Sequence, residues 1–224
     1  LNGIRPRVDV MDIAPQGLVT GSNPGWTNPW ESDIPEEAID NLIDVRFMAL
    51  LEAQVRIQFR FVKRVWLCGF SAGGGLVWSV WAMRPVIPQT FSGLCAVGKK
   101  LRRTPEKAWK WNAAAVPAIP FVMINGANDS PDDESTESGE HFSWQESYAQ
   151  ARLVNGNTVN EPVVSGYSVC GEPFNLVRLK IASGGKAPAA RYVVEGVGHV
   201  WQSCESCHTD DLVIERFRTF GLGR

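Results

Sequence analysis

One segment constrains this chain more than any other. Arg64-Val65-Trp66-Leu67-Cys68-Gly69-Phe70-Ser71-Ala72-Gly73-Gly74 is an apolar run, then Gly-x-Ser-x-Gly, then the opening of a helical pattern. A short apolar run bounded in this way reads as a buried strand. A serine on a sharp strand-to-helix turn needs unusual backbone dihedrals, and the flanking glycines leave room for the two elements to cross. The helix N-terminus beneath Ser71 favours developing negative charge. The backbone N–H of Ala72 would supply one donor to an oxyanion formed there.

The rest of the chain repeats the alternation of strand and helix. Arg7 to Ala14 reads as a strand leading into the turn Pro15-Gln16-Gly17, and residues 20 to 35 read as a loop rich in Gly, Pro, Asn and Trp. Residues 36 to 60 carry Ile39, Ile43, Phe47, Leu50, Leu51 and Val55 at helical spacing. Val62 to Phe70, Phe91 to Val97, Ile119 to Ile124, Phe174 to Ile181 and Arg191 to Val194 are strand candidates. Ser71 to Met83, Trp144 to Leu153 and Asp211 to Phe220 are helix candidates. This pattern predicts a single α/β domain over residues 1–224 with a mostly parallel sheet. In such sheets, functional residues gather at the carboxyl ends of the strands.

A serine nucleophile needs a base, and the chain has three histidines. His141 lies in an acidic stretch and His208 in a Cys-rich one. His199 follows a strand candidate within Gly196-Val197-Gly198-His199, so it is the expected base. A carboxylate that fixes the imidazole tautomer should follow another strand. Asp129 ends the run Phe121-Val122-Met123-Ile124-Asn125-Gly126-Ala127-Asn128, with Asp132 and Asp133 as near competitors. The chain order Ser71, Asp129, His199 is that of α/β-hydrolases, not of chymotrypsin or subtilisin.

Composition narrows the partners. The net charge is -2, with 22 basic against 24 acidic residues, so no cationic surplus exists to neutralise nucleic-acid phosphates. The six basic residues among residues 99–110 and the six acids among residues 129–140 read as solvated surface. No apolar run approaches the ~18 residues of a membrane span. Nine Trp is a high count, and Trp serves either cores or flat apolar ligands.

These residues resemble the esterase family that includes polyhydroxybutyrate depolymerases and feruloyl or acetylxylan esterases. The resemblance runs from about Val10 to Trp201. It is most specific at Ala14-Pro15-Gln16-Gly17, at Arg64 to Gly74, at Asn125 to Asp129 and at Gly196-Val197-Gly198-His199-Val200-Trp201. It implies a Ser71, Asp129 and His199 triad, no cofactor, a small or polymeric ester as substrate, and an extracellular setting. It also makes Trp26, Trp30 and Trp201 candidates for an acyl or aromatic pocket. The family has an upstream strand ending in a His-Gly loop that supplies the second oxyanion donor. Nothing before Val10 matches it, so the chain is expected to lack the family's N-terminal strand or strands. A binding protein on a hydrolase fold, with half an oxyanion hole, is the alternative function.

The five cysteines add a last set of readings. Cys68 and Cys95 lie in apolar runs and are expected as buried thiols. Cys204-Glu205-Ser206-Cys207-His208 matches the spacing of c-type haem attachment, but no second motif accompanies it. A zinc half-site with His199 or Cys170 is a further option. A disulfide between any two of Cys170, Cys204 and Cys207 would fit an oxidising compartment.

Overall fold

The computed structural model describes residue 13, residues 43–85, 87, 90–101, 113–129, 142–160, 164–166, 168–169, 172–173, 177–200 and 209–222. Their order is α1 (Ile43–Gln58), β1 (Trp66–Phe70), α2 (Ala72–Ala82), β2 (Gly93–Val97), β3 (Phe121–Gly126) and α3 (Trp144–Asn155). Then come β4 (Val159–Asn160), β5 (Val164–Ser165), β6 (Ser168–Val169), β7 (Glu172–Pro173), β8 (Val177–Ser183), β9 (Ala189–Val194) and α4 (Thr209–Leu222). The strands form one sheet in the order β1-β2-β3-β9-β8-β4, with β5 also on β8, and β6 and β7 pair separately.

The fold is mixed α/β, as the alternation predicts. β1, β2, β3 and β9 are mutually parallel. The far side is antiparallel: β8 runs against β9, and β4 and β5 run against β8. The reason is local. The connection from β8 to β9 is a tight turn at Ser183 to Pro188, and a turn that short can only reverse the chain. Parallel neighbours need a crossover, which α2 supplies between β1 and β2.

The parallel strands are covered on both faces, so they read as continuous apolar runs rather than alternating ones. Every residue of β2, β3 and β9 is buried. Leu94, Ala96, Phe121, Met123 and Ala189 join a core with α1, α2 and α3. Cys95, Val97, Val122, Ile124, Ala190, Tyr192 and Val194 join a second core with Leu212 and Val213 of α4. α2 is buried along Gly74 to Ala82, which is why its sequence shows no polar face. Trp78 and Trp81 stack there and both pack on Phe121. Their indole N–H groups donate to the carbonyls of Lys99 and Pro117.

β1 differs. Among the described residues it is the sheet edge, and Cys68 in its middle is exposed. The expectation that Cys68 is a buried thiol is therefore corrected, whereas Cys95 is buried as expected. The apolar run around Cys68 is a strand, but an edge strand leaves part of its face uncovered.

The sequence places the ends of α3 well. Ser143 and Glu146 form a capping box, and Gly156 closes the helix with φ 68°. The last residue, Asn155, is fully buried and clamps two strand entrances. Its amide accepts from Ile119 N–H at 3.0 Å and donates to the carbonyls of Ile119 and Pro188, at 2.8 and 3.2 Å. Asn155→Ala would take this partner from the Ile119 N–H and carbonyl, while the Pro188 carbonyl keeps the Phe121 N–H. The expected loss is about 3 kcal/mol, read in urea unfolding as a lower midpoint at unchanged m-value.

Candidate active site

The carboxyl ends of β1, β3 and β9 open on one edge of the sheet, with β2 between β1 and β3, and each leads into a loop that carries one polar side chain. Backbone hydrogen bonds continue across these ends. Ser71 N–H donates to the Val97 carbonyl at 2.9 Å, Gly98 N–H to Ile124 at 2.8 Å, Ala127 N–H to Val194 at 2.8 Å, and Asn128 N–H to Val197 at 2.9 Å. The loops after β3 and β9 are thus held to each other, and the Ser71 turn is held to the end of β2.

On this frame the structure brings Ser71, His199 and Asp129 together. Ser71 Oγ lies 2.8 Å from His199 Nε2. His199 Nδ1 lies 2.9 Å from Asp129 Oδ1. A carboxylate only accepts, so Nδ1 carries the imidazole proton and Nε2 accepts from the Ser71 hydroxyl. Asp129 is buried and lines a small cavity that Val97, Ile124, Asn125, Val194, Val197 and Thr209 also line. The His199 side chain is 47% exposed, so the chain of hydrogen bonds leads from the interior to an open surface.

The serine stands on a strained turn. Its φ of 53° and ψ of -118° make it the only described non-glycine residue with positive φ. Such a conformation costs about 1–3 kcal/mol and persists only where its surroundings impose it. Here Ser71 N–H is bonded to Val97, and the Ser71 carbonyl accepts from Gly75 N–H at 3.1 Å. That bond starts the α2 ladder, so the amides of Ala72, Gly73 and Gly74 fall in the unpaired first turn. Ala72 is therefore placed where its N–H faces no intrahelical carbonyl.

The two glycines that flank the motif are not equivalent. A Cβ on Gly69 would come within 2.1 Å of the Gly73 carbonyl oxygen, so only glycine lets strand and helix cross there. A Cβ on Gly73 would meet nothing within 4 Å. The expectation that both make room is thus corrected: on the helix side the tight position is Gly74, whose Cβ would lie 3.0 Å from the Val97 carbonyl oxygen.

Two aromatic residues escaped the sequence analysis. Phe70 stacks on the His199 imidazole, with centroids 4.9 Å apart and planes at 30°. Trp144 donates its indole N–H to the Asp129 carbonyl at 3.0 Å, from the first turn of α3. The position of Phe70 directly before Ser71 was the available signal for the first. Nothing local points from Trp144 to Asp129. Trp26, Trp30, Trp201, Cys170, Cys204, Cys207, His141 and His208 lie outside the described residues. Among the described residues, no group of three His, Cys, Asp or Glu could hold a metal ion.

No family model matches the chain, and no curated protein matches it. Among solved structures, it is similar to the crystal structure of a variant of SOBER1 from Arabidopsis thaliana. The two share 16% sequence identity and a TM-score of 0.44, over 85% of this chain and 68% of that one.

Two outcomes follow from the packing. Gly69→Ala should cost about 3 kcal/mol or prevent folding, while Gly73→Ala should leave the urea midpoint unchanged or raise it slightly. Trp144→Phe keeps an aromatic, though smaller, ring but leaves the Asp129 carbonyl without its indole donor. A loss of about 1–2 kcal/mol is expected, together with a shift of the His199 ring resonances in NMR.

Proposed function

We propose that this protein is a serine hydrolase of carboxylic esters with an α/β-hydrolase architecture. One observation carries the reading: Ser71, held in a strained conformation at a helix N-terminus, is hydrogen-bonded to His199, which is hydrogen-bonded to the buried Asp129. This is an activated-nucleophile arrangement.

The chemistry follows from the atoms. Ser71 Oγ attacks the ester carbonyl carbon while His199 Nε2 takes its proton. Asp129 holds the tautomer and stabilises the imidazolium. The developing oxyanion forms beside the first turn of α2, where the Ala72 N–H donates to it. His199 then gives its proton to the leaving alcohol, and the acyl group stays on Ser71. Water attacks the acyl-enzyme with His199 as base, and the acid and free serine are released.

The substrate class rests on the resemblance at Ala14 to Gly17, Arg64 to Gly74, Asn125 to Asp129 and Gly196 to Trp201. It points to esters of hydroxyalkanoate polymers or to feruloyl and acetyl esters, with Trp26, Trp30 and Trp201 as pocket residues and an extracellular setting. The exposed position of His199 supports a site open enough for the end or side of a polymer.

The test is hydrolysis of p-nitrophenyl acetate and butyrate, followed by feruloyl and hydroxybutyrate esters. Ser71→Ala should abolish turnover, and Asp129→Asn should lower kcat by about 10²–10⁴-fold. A fluorophosphonate should label Ser71 in the intact chain and fail to label it in His199→Ala. A folded chain that neither turns over these esters nor takes the label would leave a binding protein as the better account.

A further inference from the structure

β1 and β2 each carry a cysteine at the same level. Cys68 and Cys95 are register partners on these parallel strands, so both side chains leave the same face of the sheet. Adjacent strands run about 4.7–4.9 Å apart. That falls within the Cα separation of about 4.4–6.8 Å that a disulfide spans. Both thiols are free in the structure, and Cys68 stands close enough to Cys95 to act on its ionisation.

The two sulfurs differ in access. Cys95 is fully buried, and burial followed by the contact with Cys68 pushes its thiol well above the usual range. Cys68 is exposed. The neighbours of Cys68 on the same face are Trp66 and Phe70, two residues away on either side. Trp66 is covered by Phe217 of α4, with ring centroids 3.9 Å apart, and Phe70 stacks on His199. Cys68 lies between these two positions along β1 and is itself exposed. One reachable sulfur in contact with one hidden sulfur is the arrangement of an attacking and a resolving thiol.

We propose that Cys68 and Cys95 form an oxidisable dithiol, with Cys68 the entry point for a peroxide and a disulfide across β1 and β2 as the closed form. The inference stands apart from the ester-hydrolase reading. The Cys68 sulfur attacks one peroxide oxygen, the O–O bond breaks, and Cys68 becomes a sulfenic acid as one water leaves. The Cys95 sulfur then bonds to the Cys68 sulfur. The S–O bond breaks, and the hydroxyl departs with the Cys95 proton as a second water. The thiol pair loses two electrons and the peroxide gains them. The strands already hold the two residues in register, so closure needs no re-pairing of the sheet.

The chain is cut conveniently for the test. Trypsin does not cleave at Arg84-Pro85, so the peptide of residues 65–99 carries Cys68 and Cys95 and no other cysteine. The folded protein is treated with hydrogen peroxide, then denatured, alkylated and digested. The expected peptide is lighter by two hydrogens and takes no alkyl group, while dithiothreitol before denaturation restores two alkylation sites. In Cys95→Ala, Cys68 should accumulate as a sulfenic acid trapped by dimedone; in Cys68→Ser, Cys95 should stay an unreacted thiol. A peptide that still takes two alkyl groups overturns the proposal. So does one in which Cys68 gains oxygens while Cys95 remains a thiol, or one joined to another cysteine. The wild-type peptide decides the matter even where a variant fails to fold.

Discussion

The in-register parallel pairing of β1, β2, β3 and β9 is the constraint on which the other features depend. Parallel strands all point their carboxyl ends the same way, so the loops after β1, β3 and β9 open on one edge of the sheet. Ser71, Asp129 and His199 come from those three loops. They are far apart in sequence, with His199 128 positions after Ser71. The sheet replaces that distance with fixed strand spacings. Burial on both faces then prevents slippage, because a one-residue shift would turn every core side chain to the opposite face. A site assembled this way needs no long loop ordering, and its backbone is set before any ligand arrives.

The strain at Ser71 is a consequence of the same pairing. A serine at φ 53° gains nothing locally from that conformation. What enforces it is competition between two regular elements. β1 must continue its ladder to Val97 through the Ser71 N–H, and α2 must begin its own at Gly75 through the Ser71 carbonyl. Both bonds are made by one residue, so that residue has to turn the chain between them. Gly69 then permits the helix to fold back over the strand, at a distance no side chain would allow. The hydroxyl is left at the top of the turn, and the unpaired helix amides lie beside it.

Much of this was legible in the sequence, and the remainder fails to show for identifiable reasons. The strand, the turn and the helix around Ser71 are contiguous, so their signal is local. Asp129 and His199 were visible because each follows an apolar run and a glycine. The start of α3 at Trp144 was legible too, and the structure adds the capping box of Ser143 and Glu146 before it. The antiparallel side was not legible, because β8 and β9 have the composition of buried strands and only the short turn between them reverses the direction. The exposure of Cys68 was hidden because an edge strand carries the same apolar residues as a central one. Trp144 was assigned to a helix, but its bond to Asp129 crosses fifteen residues and depends on how α3 packs. Composition could not say whether tryptophans serve core or ligand. Trp78, Trp81 and Trp144 went to the core, each with its indole N–H on a carbonyl.

The three side chains of the site span a gradient in solvation, and the aromatic contacts explain how it is maintained. Asp129 is buried, where its bond to His199 is strengthened by the low local dielectric. His199 is half open to water, which would weaken its orientation if the carboxylate alone held it. Phe70 supplies the missing restraint by covering one face of the imidazole, and Phe70 is itself fixed because it ends β1 at the level of Val97. Trp144 acts at the other end, on the carbonyl of Asp129 rather than its carboxylate. The acid is therefore held at its backbone carbonyl as well as at its carboxylate. The geometry that carries the proposed chemistry is thus set by two packed rings as much as by the two hydrogen bonds between the polar groups.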